Sequence, residues 1–240
     1  MSDKKTPKNT SKGKRIKTDR APAERVKTAK GRTVSSTRWL QRQLNDPYIQ
    51  KSQIDGYRSR AAYKIKEIDD KLEFFKPGIT VVDLGAAPGG WAQVALERRV
   101  KKVIGMDLLP IDPLSGAIFF EMDFTSDEAL ISLDQALDGA KPDIVMSDLA
   151  PNTIGHKQTD HLRIMALVEL AYDFAIKTLK PDGIFIAKVF QGGAQSDLVG
   201  QAKRDFKTVR HIKPPSSRQD SSETFFIATG FRKELFLNKK

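Results

Sequence analysis

A short apolar strand, a glycine-rich turn and a helix follow one another over residues 80–99, and this unit leaves few folds open to the chain. Thr80–Asp83 contains three β-branched residues, two of them apolar, as expected of a buried strand. The turn at Gly85–Gly90 supplies the tight backbone angles and the close ligand approach that glycine permits. A strand that ends in such a turn and leads into a helix is typical of a nucleotide pocket at the carboxyl end of a parallel strand.

The same alternation continues along most of the chain. Further strands are predicted over residues 102–107, 118–124, 142–148, 184–190, 207–213 and 223–229, and helices over 59–68, 91–99, 126–137, 160–179 and 196–206. Strands that alternate with helices imply a mostly parallel sheet with helices on both faces. The last two strands are joined only by a loop, so we expect them to pair antiparallel near one edge. The predicted fold is α/β and Rossmann-like, with a seven-stranded sheet.

The positive charge is concentrated at the start of the chain. The net charge is +11, and residues 1–60 hold 17 Lys and Arg against 5 Asp and Glu. Residues 1–35 have few large apolar side chains, so we predict a basic disordered arm, which is either a solvated tail or a phosphate-binding segment. Residues 36–56 are predicted to form a short helical segment leading into a main domain at 57–233, and residues 234–240 to form a basic tail.

The composition excludes several classes of site. The chain has no cysteine, so disulfides, thiolate zinc sites and a thiol nucleophile are excluded. With only three histidines we expect no metal. No apolar run approaches the length of about 20 residues needed to cross a bilayer, and the first residues lack an apolar signal core. We therefore expect a cytoplasmic protein without a membrane partner.

Acidic residues follow three consecutive predicted strands. Asp83 and Asp107 come at the ends of the first two, and Asp123 lies at the end of the third. Singly, each is typical of a strand-end cap, but together they could bind the ribose hydroxyls and the amino group of an adenosine. Ala87 stands where a dinucleotide fingerprint needs its second glycine, so a ligand without a phosphate fits better. An anionic pocket suits the cationic sulfonium of S-adenosylmethionine better than NAD or ATP.

Several motifs, taken together, resemble one family. They are Asp83–Trp91, Ser147–Asn152, Lys188–Gly192 and Ser222–Glu223. In this order, over about residues 50–232, the chain resembles the FtsJ/RrmJ (RlmE) family of ribosomal RNA 2′-O-methyltransferases. The resemblance implies a class I S-adenosylmethionine-dependent methyltransferase fold. It also implies a monomeric enzyme that methylates a uridine of 23S rRNA in the large subunit, with the assembled 50S subunit as its partner.

The resemblance also implies roles for individual residues. The Lys-Asp-Lys-Glu tetrad of the family falls on Lys64, Asp148, Lys188 and Glu223, with Lys188 as the proton acceptor. The residues predicted to contact the methyl donor are Asp83, Gly85, Pro88, Gly89, Trp91, Asp107, Asp123 and Asp148. The family often has tyrosine two residues after the glutamate, and here that position is Phe225. This chain therefore lacks the hydroxyl at that position.

The chemistry of a ribose 2′-hydroxyl explains why such residue types are needed. The hydroxyl is a poor nucleophile until its proton is removed, whereas a sulfonium already carries a good leaving group. Catalysis therefore requires a base that removes the hydroxyl proton and an alignment of the hydroxyl with the methyl group. An amine can accept the proton where burial or a second amine favours its neutral form. An alternative has Lys188 stabilise the developing alkoxide while the proton leaves through water.

Substrate recognition is less specified by the sequence. Arg58 and Arg60 precede Lys64, so their guanidinium groups are candidates for RNA phosphate contacts; the alternative is a solvated surface. A related enzyme could methylate tRNA or a capped RNA, although no aromatic cage for a cap is evident. A second alternative is a non-catalytic ribosome-assembly factor that binds RNA, because a fold does not by itself carry a function.

Overall fold

The computed structural model describes residue 31 and residues 33–151, 157–190 and 196–232. The predicted basic tail at 234–240 and almost all of the predicted arm at 1–35 lie outside these residues. The chain divides into two compact units, residues 1–46 and 47–240. Among the described residues, no helix combines the length and the apolar character needed to span a membrane.

The first unit contains one described helix, α1 (Val34–Leu44), whose first turn is capped by the side-chain oxygen of Thr33. The described part of the second unit contains α2 (Pro47–Ile54), α3 (Ala62–Leu72), β1 (Thr80–Leu84), α4 (Gly90–Glu97), β2 (Lys102–Asp107), β3 (Ala117–Glu121), α5 (Asp127–Leu137), β4 (Ile144–Ser147), α6 (Lys157–Thr178), β5 (Ile184–Phe190), α7 (Ser196–Asp205), β6 (Phe206–Ile212) and β7 (Glu223–Phe231).

The seven strands found in the described residues form one sheet in the order β3-β2-β1-β4-β5-β7-β6. β1 to β5 pair in parallel, and β7 is antiparallel to both β5 and β6. The predicted fold class and the antiparallel pairing of the last two strands are thus confirmed. The insertion of β7 between β5 and β6 was not predicted. It follows from burial, because β7 is apolar and buried on both faces, whereas β6 carries charged, exposed side chains that suit an edge.

Helices cover both faces of the sheet, as predicted. α3 and α4 pack on one face, where Val81 and Ile186 point toward them. α5, α6 and α7 pack on the other face, against Val82 and Phe185 among others. Neighbouring residues of one strand belong to different cores because successive strand side chains point to opposite faces.

Several predicted boundaries differ from the structure by one to four residues, and two of these differences have a local cause. The strand predicted over 118–124 ends at Glu121, because the carboxylate of Asp123 accepts hydrogen bonds from both the backbone and the hydroxyl of Thr125. Such a local turn competes with continued strand pairing. The helix predicted over 59–68 begins only at Ala62, after a turn in which the Ala62 N–H donates to the Ser59 carbonyl.

The carboxyl ends of the parallel strands meet at one edge of the sheet, and β7 brings a further residue there. Its first residue, Glu223, pairs with Phe190, the last residue of β5. Because β7 runs antiparallel to β5, it starts at the edge of the sheet where β5 ends. Residues from the end of β5 and the beginning of β7 therefore lie at the same edge as the glycine-rich turn after β1.

Candidate active site

Two ion pairs lie at this edge and contain the four residues of the predicted tetrad. The Lys188 Nζ lies 2.8 Å from the Asp148 Oδ1, and it donates a hydrogen bond of 3.0 Å to the Asp148 main-chain carbonyl. The Lys64 Nζ lies 2.8 Å from the Glu223 Oε2. The side chain of Lys188 is only 7% exposed, and the other three are exposed by no more than 18%.

The two ion pairs act on one another. Burial favours the protonated form of Asp148, but the ammonium groups of Lys188 and Lys64 outweigh that effect and hold the pKa of Asp148 below its ordinary value. Asp148 is therefore a carboxylate whose pKa is lowered by both ammonium groups. In the sheet, Lys188 pairs with Phe225, and the Lys64 Nζ lies 5.8 Å from the centre of the Phe225 ring. Residues far apart in the sequence thus come together here.

Phe225 is the position where the family often has tyrosine. Its side chain is fully buried, and its ring centre lies 5.7 Å from that of Trp91. It therefore contributes to the apolar core on which the amine of Lys64 rests.

Ser217, which the sequence analysis missed, holds the glutamate of the tetrad. Its hydroxyl donates a 2.8 Å hydrogen bond to the Glu223 Oε1, and the residue is only 5% exposed. The loop that carries it is attached to α3, because the Ser216 N–H donates to the Glu67 Oε2 at 2.8 Å. The Arg60 guanidinium donates to the Ser216 carbonyl. Loop serines are common, and the sequence does not show that this one points inward.

The glycine-rich turn lies between β1 and α4. Gly85 and Gly89 have φ of 77° and 102°, in the left-handed region that favours glycine. The Gly85 N–H donates to the Met106 carbonyl of β2 at 2.9 Å. The Trp91 indole is 4% exposed and donates to the Ala61 carbonyl at 2.9 Å, so a ligand contact of Trp91 would be made by its main chain. The N–H groups of a first helical turn lack partners within their helix, which suits this role.

Asp107 and Asp123 differ in their surroundings. The Asp107 Oδ2 accepts from the Ala87 N–H and the Oδ1 from the Leu109 N–H, both at 2.9 Å. A carboxylate oxygen can accept a second hydrogen bond, so Asp107 keeps capacity for a ligand. Asp123 is exposed, and its Oδ1 is engaged by Thr125.

Asp83 is buried without a protein partner. It is 1% exposed, and neither carboxylate oxygen has a hydrogen-bond partner among the described residues. Burial, and then the nearby charges of Asp148 and Asp107, raise the pKa of Asp83 well above its ordinary value. A buried polar group without a partner costs free energy. Its place at the end of β1 therefore suits a ligand with a cationic or hydrogen-donating group.

The two predicted RNA contacts are half-buried. Arg60 donates to the Ser216 carbonyl, as described above, and its guanidinium carbon lies 5.8 Å from the centre of the Tyr48 ring. The Arg58 guanidinium donates to the main-chain carbonyls of Pro88, Asp112 and Pro113. Both side chains thus take part in packing the protein beside the site.

A seven-stranded sheet with an inserted antiparallel strand, and a glycine-rich turn after its first strand, is the fold of the class I methyltransferases. The sequence profile of the FtsJ-like methyltransferase family matches residues 57–231. The chain belongs to this family, which confirms the resemblance found in the sequence, and it is a methyltransferase.

Similar proteins and a solved structure agree with this family assignment. The chain is 57% identical over 213 residues to the ribosomal RNA large subunit methyltransferase E of Caulobacter vibrioides, covering 89% of this chain and 94% of that protein. It is 56% identical to the protein of the same name from Novosphingobium aromaticivorans, covering 90% and 97% of the two chains. A crystal structure described as a ribosomal RNA methyltransferase of Plasmodium falciparum has a TM-score of 0.67 and 32% identity, covering 73% of this chain and 98% of that one.

Replacing Ser217 tests how Glu223 is held. We expect Ser217→Ala to lower the rate of methyl transfer about tenfold, because one hydrogen bond to a charged group contributes about 1.5 kcal/mol or more. Ser217→Thr, which keeps the hydroxyl, should retain most of the rate. Ser222→Ala, in an exposed residue of the same loop, is the control. Full activity of Ser217→Ala would show that Glu223 is oriented without this serine.

Asp83→Asn should make the protein more stable at neutral pH. Because the pKa of Asp83 is raised by folding, the folded chain binds this proton more tightly, and stability is lost as pH rises through the raised pKa. Asparagine does not ionise, so the urea unfolding midpoint of Asp83→Asn should increasingly exceed that of wild type as the pH rises above about 4, the ordinary pKa of aspartate. The exposed Asp220→Asn serves as control. A parallel decline of wild type and Asp83→Asn would contradict the prediction.

Proposed function

We propose that this protein transfers a methyl group from S-adenosylmethionine to the 2′-hydroxyl of a uridine in 23S ribosomal RNA, with the assembled 50S subunit as substrate. The observation that carries the proposal is the pairing of Lys188 with Asp148 and of Lys64 with Glu223 beside the glycine-rich turn. The name of the relatives, ribosomal RNA large subunit methyltransferase E, supports the choice of RNA. We place the reaction in the cytoplasm, where bacterial ribosomes lie, and infer a monomeric enzyme.

The described residues fit S-adenosylmethionine as the donor. Asp107 has acceptor capacity left for ribose hydroxyls, and Asp83 offers a buried carboxylate without a protein partner. The carboxylates of Asp107 and Asp148 oppose a negative charge on the buried Asp83, and a cationic molecule bound among them would offset this repulsion. When bound, this donor supplies a methyl group attached to a sulfonium, whose sulfur is a good leaving group. Gly85, Pro88, Gly89, Trp91 and Asp123 are retained as further proposed contacts.

In the proposed mechanism Lys188 is the base. Its buried amine is held by two oxygen atoms of Asp148, so its direction is set before the substrate arrives. In its neutral form the Nζ takes the proton of the 2′-hydroxyl, and the proton later passes to water. Lys64, held by Glu223, lies close enough to Asp148 to act on its charge, and its ammonium stabilises negative charge developing on the 2′-oxygen.

Two substitutions of Lys188 distinguish a base from a charge. We expect Lys188→Ala to lower turnover by roughly 10²–10⁴-fold, the usual contribution of a general base, with little change in donor affinity. Lys188→Arg should be equally inactive, because arginine stays charged and cannot accept a proton. Rates come from transfer of labelled methyl and affinities from calorimetry. Substantial activity of Lys188→Arg would instead favour stabilisation of the alkoxide, and full activity of Lys188→Ala would end the assignment.

The substrate is tested by offering several RNAs to the same enzyme. Labelled methyl should be transferred to large subunits that lack the modification, and not to tRNA or to capped RNA. Mapping the product should place the label on one uridine ribose. Transfer to tRNA or capped RNA alone would favour the related enzyme class. RNA binding without transfer to any substrate would favour a non-catalytic assembly factor.

We further propose that residues 1–35 increase RNA affinity without sequence preference. They hold 12 Lys and Arg against 3 Asp and Glu. Each phosphate neutralised by such a residue releases counterions, which makes binding salt-dependent.

Deleting residues 1–32, which keeps the Thr33 cap of α1, should therefore weaken RNA binding and flatten its dependence on salt, while the unfolding midpoint stays the same. A Gly/Ser arm of equal length should behave like the deletion, because it lacks the charge. Filter binding at several salt concentrations measures both quantities. An unchanged salt slope would show that the arm is a passive tail.

A further inference from the structure

We infer that Arg58 is a positioning residue that holds together the two segments forming the methyl-donor pocket, and that it does not act as an RNA phosphate contact. The inference rests on the proposed donor site. Arg58 precedes α3, and its side chain reaches across to the edge of the sheet where β1 and β2 end.

The guanidinium of Arg58 bridges two loops. Its Nη1 donates to the Pro88 carbonyl at 3.2 Å and to the Asp112 carbonyl at 2.7 Å. Its Nη2 donates to the Pro113 carbonyl at 2.8 Å. Pro88 belongs to the glycine-rich turn after β1, and the other two residues belong to the loop after β2. One side chain therefore connects both segments.

These two segments carry the proposed donor contacts. The turn after β1 contains Gly85 and Gly89, and the loop after β2 starts from Asp107. Asp107 also links them, because its Oδ2 accepts from the Ala87 N–H at 2.9 Å. Asp107 is itself a proposed ligand contact, so its link is made within the pocket. Arg58 makes the second link through its own side chain, without being a proposed donor contact.

Arg58 is itself held firmly. Its main-chain N–H donates to the Gln93 Oε1 of α4 at 2.7 Å, and the Gln93 Nε2 donates back to the Gly56 carbonyl at 3.0 Å. The guanidinium also packs closely against the turn, because a Cβ added at Gly89 would lie 2.7 Å from the Arg58 Nη1. Glycine at this position is therefore needed for contact with Arg58 as well as for its backbone angle.

This use of the guanidinium competes with phosphate binding. An arginine binds phosphate most strongly through two parallel N–H groups, and three of the five N–H groups of Arg58 already donate to carbonyls, which leaves only the Nε–H and one Nη2–H. Lysine cannot replace it, since a single ammonium lacks the planar fork that reaches several acceptors. Loss of the guanidinium should leave the two loops free to separate, so the pocket would no longer be preorganised for the donor.

Calorimetric titration with S-adenosylmethionine and with S-adenosylhomocysteine tests the inference on the full chain. We expect Arg58→Ala and Arg58→Lys each to raise the donor Kd about tenfold or more. Arg210→Ala, which removes an exposed arginine from the edge strand, should bind the donor like wild type. Binding of ribosomal RNA by Arg58→Ala, and the salt slope of that binding, should match wild type.

Unchanged donor affinity in Arg58→Ala, with weaker RNA binding and a smaller salt slope, would overturn the inference in favour of a phosphate contact. Failure of wild type to bind either donor compound would instead refute the proposed function. Should Arg58→Ala not fold, Gln93→Ala decides, because it leaves the guanidinium in place and removes the two hydrogen bonds that anchor the main chain of this segment, at Arg58 and Gly56. A raised donor Kd in Gln93→Ala supports the inference, and an unchanged Kd overturns it.

Discussion

Charged groups buried at one edge of the sheet are the constraint on which the rest of this structure depends. A buried ion is costly unless an opposite charge lies beside it, and removing one partner leaves the other uncompensated. Lys188 and Asp148 satisfy this condition for one another, as do Lys64 and Glu223. The backbone must bring the members of each pair to the same place, and each pair joins different elements of the fold.

α3 and β7 meet this requirement together. α3 carries Lys64, and through Glu67 it also holds the loop from which Ser217 reaches the Glu223 carboxylate. β7 starts at the edge where β5 ends because it runs in the opposite direction. Asp83 is the exception to mutual pairing, since its carboxylate has no partner within the described protein. A cost of this kind is typical of sites where a ligand completes the set of interactions.

Much of the site could be predicted because the carboxyl ends of parallel strands meet at one edge. Asp107, Asp148 and Lys188 lie at or near the carboxyl ends of predicted strands, so their proximity follows from the alternation of elements alone. Ser217 could not be found in this way, because it lies on a loop whose path is set by contacts with α3. For Arg58, the basic character was evident but its partners are main-chain carbonyls, which leave no signature in a sequence.

The sequence by itself determined the class of fold and the positions of the strands and helices to within a few residues. It also determined which types of side chain lie at the edge where the carboxyl ends of the parallel strands meet. These depend on local periodicity, turn residues and motif spacing, which are properties of neighbouring residues. Only the tertiary structure decided that β7 is inserted between β5 and β6, that the Trp91 indole is buried, and which side chains pair. Such choices arise from burial and hydrogen bonding between distant segments, and no short stretch of sequence contains both partners.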